Sequence, residues 1–434
     1  MSIWKLRSFK KALNYLIVLS MMLSLSLSFA ATATDGGVQQ QDTVNSSEAH
    51  SFMLLDLAAL NELKAKYKNG DEDLTARVEK LKESAEQALK GGPYSVTYKK
   101  ATPPSGDKHD YMTIGIYWWP NPDTKDKLPY IRKDGKVNPE VNNDTFDKLS
   151  YGKMSSAVQT LALAYFYTDN EDYANYAAKL LRVWYLDPST RMNPNLNFGQ
   201  AVPGLNNGRA EGIIETVNLI NIIDSSILLN ATSKAFSGDD MVKFKAWVAE
   251  YLKWLQESDI GTDERNAKNN HGEWYDAQVV SYAMFTGQYD LAKSIINDYT
   301  KSRIDSQIDA DGKLPREMSR TRSLHYPIYA MRAFLTVAIL GEKLDMDTDL
   351  WNYTTDDGRG LRLALDYLTP YIDGSNEWEL SQVITENESS FSPFLRRAAA
   401  KYNYYRYLVA ADKLLETDSL SRINLMYPIP QLEK

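Results

Sequence analysis

The sequence predicts an all-α fold in which irregular helical hairpins stack into an (α/α) toroid, an incomplete helical barrel with a central cleft. Three observations lead there. Apolar residues recur at three- and four-residue spacing along most of the chain, strand-like alternation is confined to residues 111–119, and no repeat of fixed length runs through the sequence. The first two are the signature of amphipathic helices, and the third argues against a regular solenoid. Helices of this kind bury one stripe each, so they must pack on one another, and short connections make neighbours antiparallel.

The chain has 434 residues and opens with a targeting pattern. Lys5, Arg7, Lys10 and Lys11 form a positive segment, an apolar run from about Leu13 to Phe29 follows, and Ala30, Ala31, Thr32 and Ala33 close it. That order predicts a secretory signal peptide over residues 1–33, and Ser20, Ser24, Ser26 and Ser28 inside the run argue against a retained anchor. The protein is therefore expected in the periplasm or the medium, free of the membrane after cleavage. Residues 34–50 are polar and read as a flexible N-terminus. Residues 51–434 read as a single toroid domain, large enough to fold without staples. The chain has no cysteine, which excludes disulfides and a lipid anchor on an N-terminal Cys.

Leu54, Leu57, Leu60 and Leu63 mark one helix face, and Leu74, Val78, Leu81 and Leu89 mark the next. Met154, Val158, Leu161, Ala164 and Tyr165 mark a third. Further helices are predicted over 173–185, 210–229, 235–256, 275–286, 289–303, 326–340, 361–368 and 394–415. Ser237-Gly238-Asp239 and Thr355-Asp356-Asp357 supply N-cap signals ahead of two of them. Residues 91–142 break the pattern. An insertion of that length is usually functional or disordered, and Tyr111, Tyr117, Trp118, Trp119, Tyr130 and Arg132 argue for an ordered aromatic lid over the cleft.

The formal net charge is −8, and the leader holds four positive charges and no acid, so the remainder is more acidic still. That balance argues against general nucleic-acid binding. A polyanionic substrate would have to be drawn in by a local cluster of Arg and Lys rather than by the global field. The 28 Tyr and 9 Trp suit sugar faces and helix packing alike, so composition alone does not choose between them.

Four histidines are present. His50 falls in the polar N-terminus and His109 opens the aromatic segment. His271 sits in Asn269-Asn270-His271-Gly272-Glu273-Trp274-Tyr275-Asp276 at the start of a helix, where two amides beside a His can hold a carboxylate. A plain capped helix start explains the same residues equally well. A second cluster places Arg316, Arg320 and Arg322 just before His325-Tyr326. Arginine recognises carboxylates with two parallel hydrogen bonds, and nearby positive charge favours a tyrosine phenolate. A solvated basic loop before a core helix is the alternative. Arg209 either faces a substrate or pairs with Glu211 or Glu215.

In this order, the segments Asp110-Tyr111-Met112, Tyr117-Trp118-Trp119-Pro120-Asn121-Pro122, Leu128-Pro129-Tyr130-Ile131-Arg132, Asp134-Gly135, Asn138-Pro139-Glu140, Asn269-Asn270-His271-Gly272, Tyr275-Asp276, Arg316-Glu317 and Ser323-Leu324-His325-Tyr326 resemble the alginate lyase superfamily, in particular polysaccharide lyase families five and thirty-eight. The resemblance spans roughly residues 105 to 345. It implies an (α/α) toroid and a lyase acting on 1,4-linked uronates. By motif, Tyr326 matches the catalytic tyrosine, and Asn270 and His271 match the pair beside the substrate carboxylate. Arg320 is the expected substrate arginine, with Arg316 and Arg322 as alternatives. Arg209, Asn269, Tyr275 and His325 join the expected substrate contacts, and Tyr117, Trp118 and Trp119 are expected either to stack on sugars or to anchor the lid.

The chemistry of such a site is β-elimination. Binding the C6 carboxylate offsets the charge that develops when the C5 proton leaves, and Tyr326 can take that proton and return one to O4. One residue can do both only where H5 and O4 lie on the same side of the ring, as in β-mannuronate and β-glucuronate but not in guluronate. Mannuronate-rich alginate is therefore the expected substrate and glucuronan the alternative, with His271 as base and Tyr326 as acid an open variant. A toroid glycoside hydrolase would need two dedicated carboxylates, for which Glu211, Glu273, Asp276 and Glu317 are available. A non-catalytic uronate-binding protein is the third class. No His-x-x-x-His pair and no Cys is present, so neither a metal nor a cofactor is expected.

Overall fold

The computed structural model describes residues 52–347, 349–384 and 387–433. They belong to one compact unit, Ser46–Lys434. The predicted signal peptide (1–33) and polar N-terminus (34–50) lie outside the described residues.

The helices run in the order α1 Leu57–Lys68, α2 Glu72–Leu89, α3 Lys148–Thr168, α4 Glu171–Leu181, α5 Leu219–Thr232, α6 Asp239–Glu257, α7 Asp259–Arg265 and α8 Asn270–Thr286. They continue as α9 Tyr289–Ser294, α10 Lys301–Gln307, α11 Pro315–Met318, α12 His325–Gly341, α13 Leu361–Ile372, α14 Ser392–Tyr402, α15 Tyr405–Lys413 and α16 Ile423–Met426. Four short strands are present: β1 Met112–Ile114, β2 Trp118–Trp119, β3 Ile131–Arg132 and β4 Phe198–Ala201. Helices α3, α5, α8 and α12 are buried on nearly all sides, while α2, α4 and α6 bury one stripe and expose a polar face. A helix apolar all round belongs to a core and an amphipathic one covers it. The neighbours are α8 with α12, α3 with α4 and α5, and α6 with α8. The result is the layered helical arrangement of an (α/α) toroid. By length and composition Ala210–Thr232 could cross a membrane, yet 72% of that apolar window is buried inside this core.

Several boundaries differ from the sequence reading, for local reasons. The helix expected over 289–303 is interrupted by the wider turns of Ile295–Thr300. The one expected over 394–415 breaks at Asn403, which takes a left-handed backbone with φ of 47° and starts a new helix. The Ser237 hydroxyl turns back to the Lys234 carbonyl and leaves α6 uncapped. Thr355 accepts from the Arg359 amide and closes a turn before α13.

Residues 111–119 form two strands with separate partners rather than one. β1 pairs parallel with β4, and β2 pairs antiparallel with β3. The insertion is therefore half core and half lid. Tyr111 is fully buried, edge-on to Tyr151 at 6.1 Å, with its hydroxyl 3.1 Å from Glu215.

One buried ion pair fixes where α8 begins. Arg303 donates from Nε and Nη2 to Asp276 at 2.8 and 3.2 Å, and its remaining donors reach the Ala267 and Arg265 carbonyls at 2.7 and 2.5 Å. Gly272 lies directly against this guanidinium, where a Cβ would collide with Arg303 Nη1. Removing one partner of a buried pair strands the other charge and costs about 3–5 kcal/mol. Arg303→Ala should lower stability by about that amount in urea unfolding, and a loss below about 1 kcal/mol would contradict this role.

Candidate active site

The N-terminal ends of the neighbouring helices α8 and α12 carry the two motifs. At the start of α8, the Asn269 side chain accepts from the His271 amide at 3.4 Å and acts as the cap. Asn270 is buried, and its backbone N and Nδ2 donate to Glu317 of α11 at 2.5 and 2.7 Å. His271 Nδ1 lies 2.7 Å from Glu264 Oε1, contributed by α7. Burial works against a charge on His271. Glu264 outweighs burial through its charge and its hydrogen bond, with Glu211 and Glu317 adding to it, so the imidazole pKa rises above its ordinary value. Burial also pushes the Glu264 carboxyl up.

At the start of α12, Tyr326 is buried and its hydroxyl meets two partners. Tyr117 Oη is 2.8 Å away, and Arg320 Nη2 donates at 3.1 Å. The Arg320 guanidinium also lies over the Tyr326 ring, 4.0 Å from its centroid. Arg320 is held in turn by Asp134 of the lid, at 2.8 Å from Nη2 and 3.3 Å from Nε. Asp134 accepts further from Thr321 at 2.9 Å and Arg132 at 2.7 Å. Burial alone would raise Asp134, but Arg320, Thr321 and Arg132 hold its carboxyl well below the usual range. Gly135, next along the lid, has φ of 72° and packs so closely that a Cβ would sit 2.5 Å from Thr321 Oγ1.

The expectation that nearby arginines favour a Tyr326 phenolate is corrected here. Burial, with Tyr117 adding to it, raises the phenol well above its ordinary value, and Arg320 opposes this only in part. Arg320 is already compensated by Asp134, so its charge is largely spent.

The other expected residues fall into two groups. Close to Tyr326 are His325, whose Nδ1 lies 2.7 Å from Glu388, and Arg322, which donates to the Gly135 carbonyl at 3.0 Å with its guanidinium 5.6 Å from the Tyr117 ring centroid. Arg316 is exposed and donates to the Lys268 carbonyl at 2.9 Å. The second group is engaged elsewhere. Tyr275 packs in the core with its hydroxyl on the Leu255 carbonyl at 3.0 Å, which corrects its assignment as a substrate contact. Arg209 spends its donors on Gln200 and Glu211 and lies over Trp118. Trp119 Nε1 donates to the Lys136 carbonyl at 2.9 Å, inside the lid itself.

The sequence reading missed Asp134 and Glu264 as partners, because nothing local marks a carboxylate that acts on a residue in another element. The four carboxylates open to a hydrolase are tied or buried. Glu211 pairs with Arg209, Glu317 holds Asn270, Asp276 holds Arg303, and Glu273 lies fully inside. Among the described residues, no group of three or more His, Asp and Glu is placed to hold a metal ion.

The chain matches the alginate lyase family over residues 95–378. It is similar to the crystal structure of an alginate lyase from Bacteroides ovatus, at 37% identity and a TM-score of 0.81, over 87% of this chain and 99% of that one. It is also similar to alginate lyase A1-III from Sphingomonas species A1, at 14% identity and a TM-score of 0.51 over 88% and 97% of the two chains, a likeness of fold alone. No curated protein matches it. With the family matched over more than half its length and two helix N-termini that bring a His-Asn pair and an Arg-Tyr pair together, this chain belongs to the alginate lyase family and is a polysaccharide lyase built on an (α/α) toroid.

Proposed function

We propose that the enzyme cleaves mannuronate-rich alginate by β-elimination and leaves a 4,5-unsaturated uronate at the new chain end. The observation that carries this reading is the meeting of two polar groups on Tyr326 Oη, where Arg320 Nη2 donates and Tyr117 Oη lies within hydrogen-bond distance. Arg320 lowers the cost of charge on that oxygen, whose phenolate takes the C5 proton and, as the phenol so formed, returns one to the departing O4. His271, whose charged form Glu264 favours, offsets the charge that spreads onto the C6 carboxylate. Asn270 gives one amide hydrogen to Glu317 and retains a second for the same carboxylate. A single tyrosine serving both steps requires H5 and O4 on one side of the ring, which favours mannuronate, with glucuronan sharing that configuration. The leader over residues 1–33 supports export, to the periplasm or the medium.

A second reading has its own support. His271 Nδ1 is engaged by Glu264, which leaves Nε2 to act as base, while burial keeps the Tyr326 phenol protonated and fit to act as acid. Two groups acting from two sides suit guluronate, where H5 and O4 are anti.

The unmodified enzyme should raise the ultraviolet absorbance of conjugated uronates on polymannuronate, with far less on polyguluronate and none on a neutral glucan. Tyr326→Phe should reduce kcat by about 10²–10⁴. Faster turnover of polyguluronate would transfer the assignment to the second reading.

The His271 charge is present below its raised pKa and is lost as pH climbs through it. KM should therefore increase as pH climbs above the ordinary imidazole range, and Glu264→Gln should move that increase to lower pH. Unchanged KM-against-pH profiles in the two proteins would remove His271 as the cation that binds the carboxylate.

A further inference from the structure

Behind the catalytic wall lies a separate cavity of about 1100 Å³. None of Tyr326, His271, Asn270 and Arg320 lines it. Eight of its lining residues are Lys or Arg and only two, Asp56 and Asp418, are acids, in a chain whose formal net charge is −8. Local charge of one sign in a walled space focuses potential and concentrates ligands of the other sign. The basic cluster at Arg316, Arg320 and Arg322, where the sequence placed the attraction for a polyanion, is occupied by its own neighbours. The cavity is another place where cations gather.

Most of these cations are also engaged, as Lys80 is with Glu83 and Arg397 with Glu342. Arg332 is different. Its guanidinium lies over the rings of Trp274 and Tyr329, at 5.7 and 5.6 Å from their centroids, and its buried Nε has no hydrogen-bond partner among the described residues. Burial lowers its pKa, and Tyr329 and the Glu388 carboxylate oppose this only in part. Arg332 stands six residues after Tyr326 on α12, about 9 Å along the helix axis. The two sites share a wall. Tyr329 stacks on His325 at 5.7 Å, His325 lies edge-on to Tyr326 at 5.3 Å, and Trp274, one turn along α8 from Asn270 and His271, lies 5.0 Å from Tyr329.

We infer that this cavity is a second binding site for an acidic oligosaccharide, in which Arg332 takes a sugar carboxylate. Its volume exceeds that of ordinary small-molecule pockets and leaves room for several rings. Gln87, Asn218, Asn221 and Ser389 add neutral donors and acceptors to the lining, which suit a ligand rich in hydroxyls better than a bare inorganic anion. The choice of an acidic sugar rests on the proposed reaction, since the ligand is of the same class as that substrate.

The test is isothermal titration of the full chain carrying Tyr326→Phe with a four-residue oligomannuronate. Two sites per chain are expected. Adding Arg332→Gln should weaken one of them about tenfold or more and leave the other. A neutral mannan oligomer should show no such site, and inorganic phosphate should displace nothing from it. One site per chain with or without Arg332→Gln overturns the inference, and so does phosphate filling the second site as tightly as the oligomer. If Arg332→Gln fails to fold, Lys153→Glu, at an exposed lining position on α3, replaces it and must weaken the second site severalfold. Turnover is read independently on the unmodified chain. Turnover with one site removes the cavity assignment alone, and Arg332-dependent binding without turnover on any uronate removes the proposed reaction alone.

Discussion

Arg303 and Asp276 hold together the part of the molecule on which the candidate active site rests. Arg303 lies in α10 and reaches under Gly272 to a carboxylate in α8 and to two carbonyls of the loop that precedes it. A buried ion pair is a poor source of net stability, because desolvation consumes much of what the attraction returns. Its value here is geometric. Each nitrogen of the guanidinium fork has an acceptor at a fixed place, so the stretch from Arg265 to Ala267 cannot shift without stranding charge in the interior. That loop joins Glu264 on one side to Asn270 and His271 on the other. The hydrogen bond between Glu264 and His271 is thus a consequence of a pair that touches neither of them.

The site itself is assembled from compensated pairs. Asn270 answers Glu317, His271 answers Glu264, and Arg320 answers Asp134. Each brings a polar group into a poorly hydrated region and supplies a partner for it, which is the condition under which such groups are tolerated there. Three separate parts of the chain contribute. The lid brings Tyr117 and Asp134, α7 brings Glu264, and α11 brings Glu317. The lid depends on the core for its own placement, since β1 pairs with β4 and Tyr111 is sunk among Tyr151 and Glu215.

Much of this was legible in the sequence, and the exceptions have physical causes. Helical periodicity over 326–340 predicted α12 to within one residue at each end, His325–Gly341, because that helix is apolar on every face. The start of α8 was set five residues late, at 275 instead of Asn270, because its first turn is made of polar residues whose burial comes from Glu317 and Glu264 in other elements. The arginine cluster before Tyr326 was visible, but not that Asp134, 186 residues away in the chain, neutralises its central member. Tyr275 follows His271 in the motif, and one helix position turns it into the core. The phenolate expectation for Tyr326 weighed charge and had no access to burial, and burial is the larger influence. The cavity lined by Arg332 left no trace in the sequence, because its walls come from helices at opposite ends of the chain.

The lid contact between Asp134 and Arg320 carries one more consequence. The lid brings to Arg320 the same chemical group that an acidic sugar carries, a carboxylate, and seats it in the guanidinium fork beside Thr321. Under the proposed reaction, Asp134 is an internal counterfeit of the ligand. A neutral sugar has nothing to trade for that contact and leaves it as it is. Only an anion competes on equal terms, so under the proposed reaction this contact would sort visitors by charge before the shape of any ring comes into play.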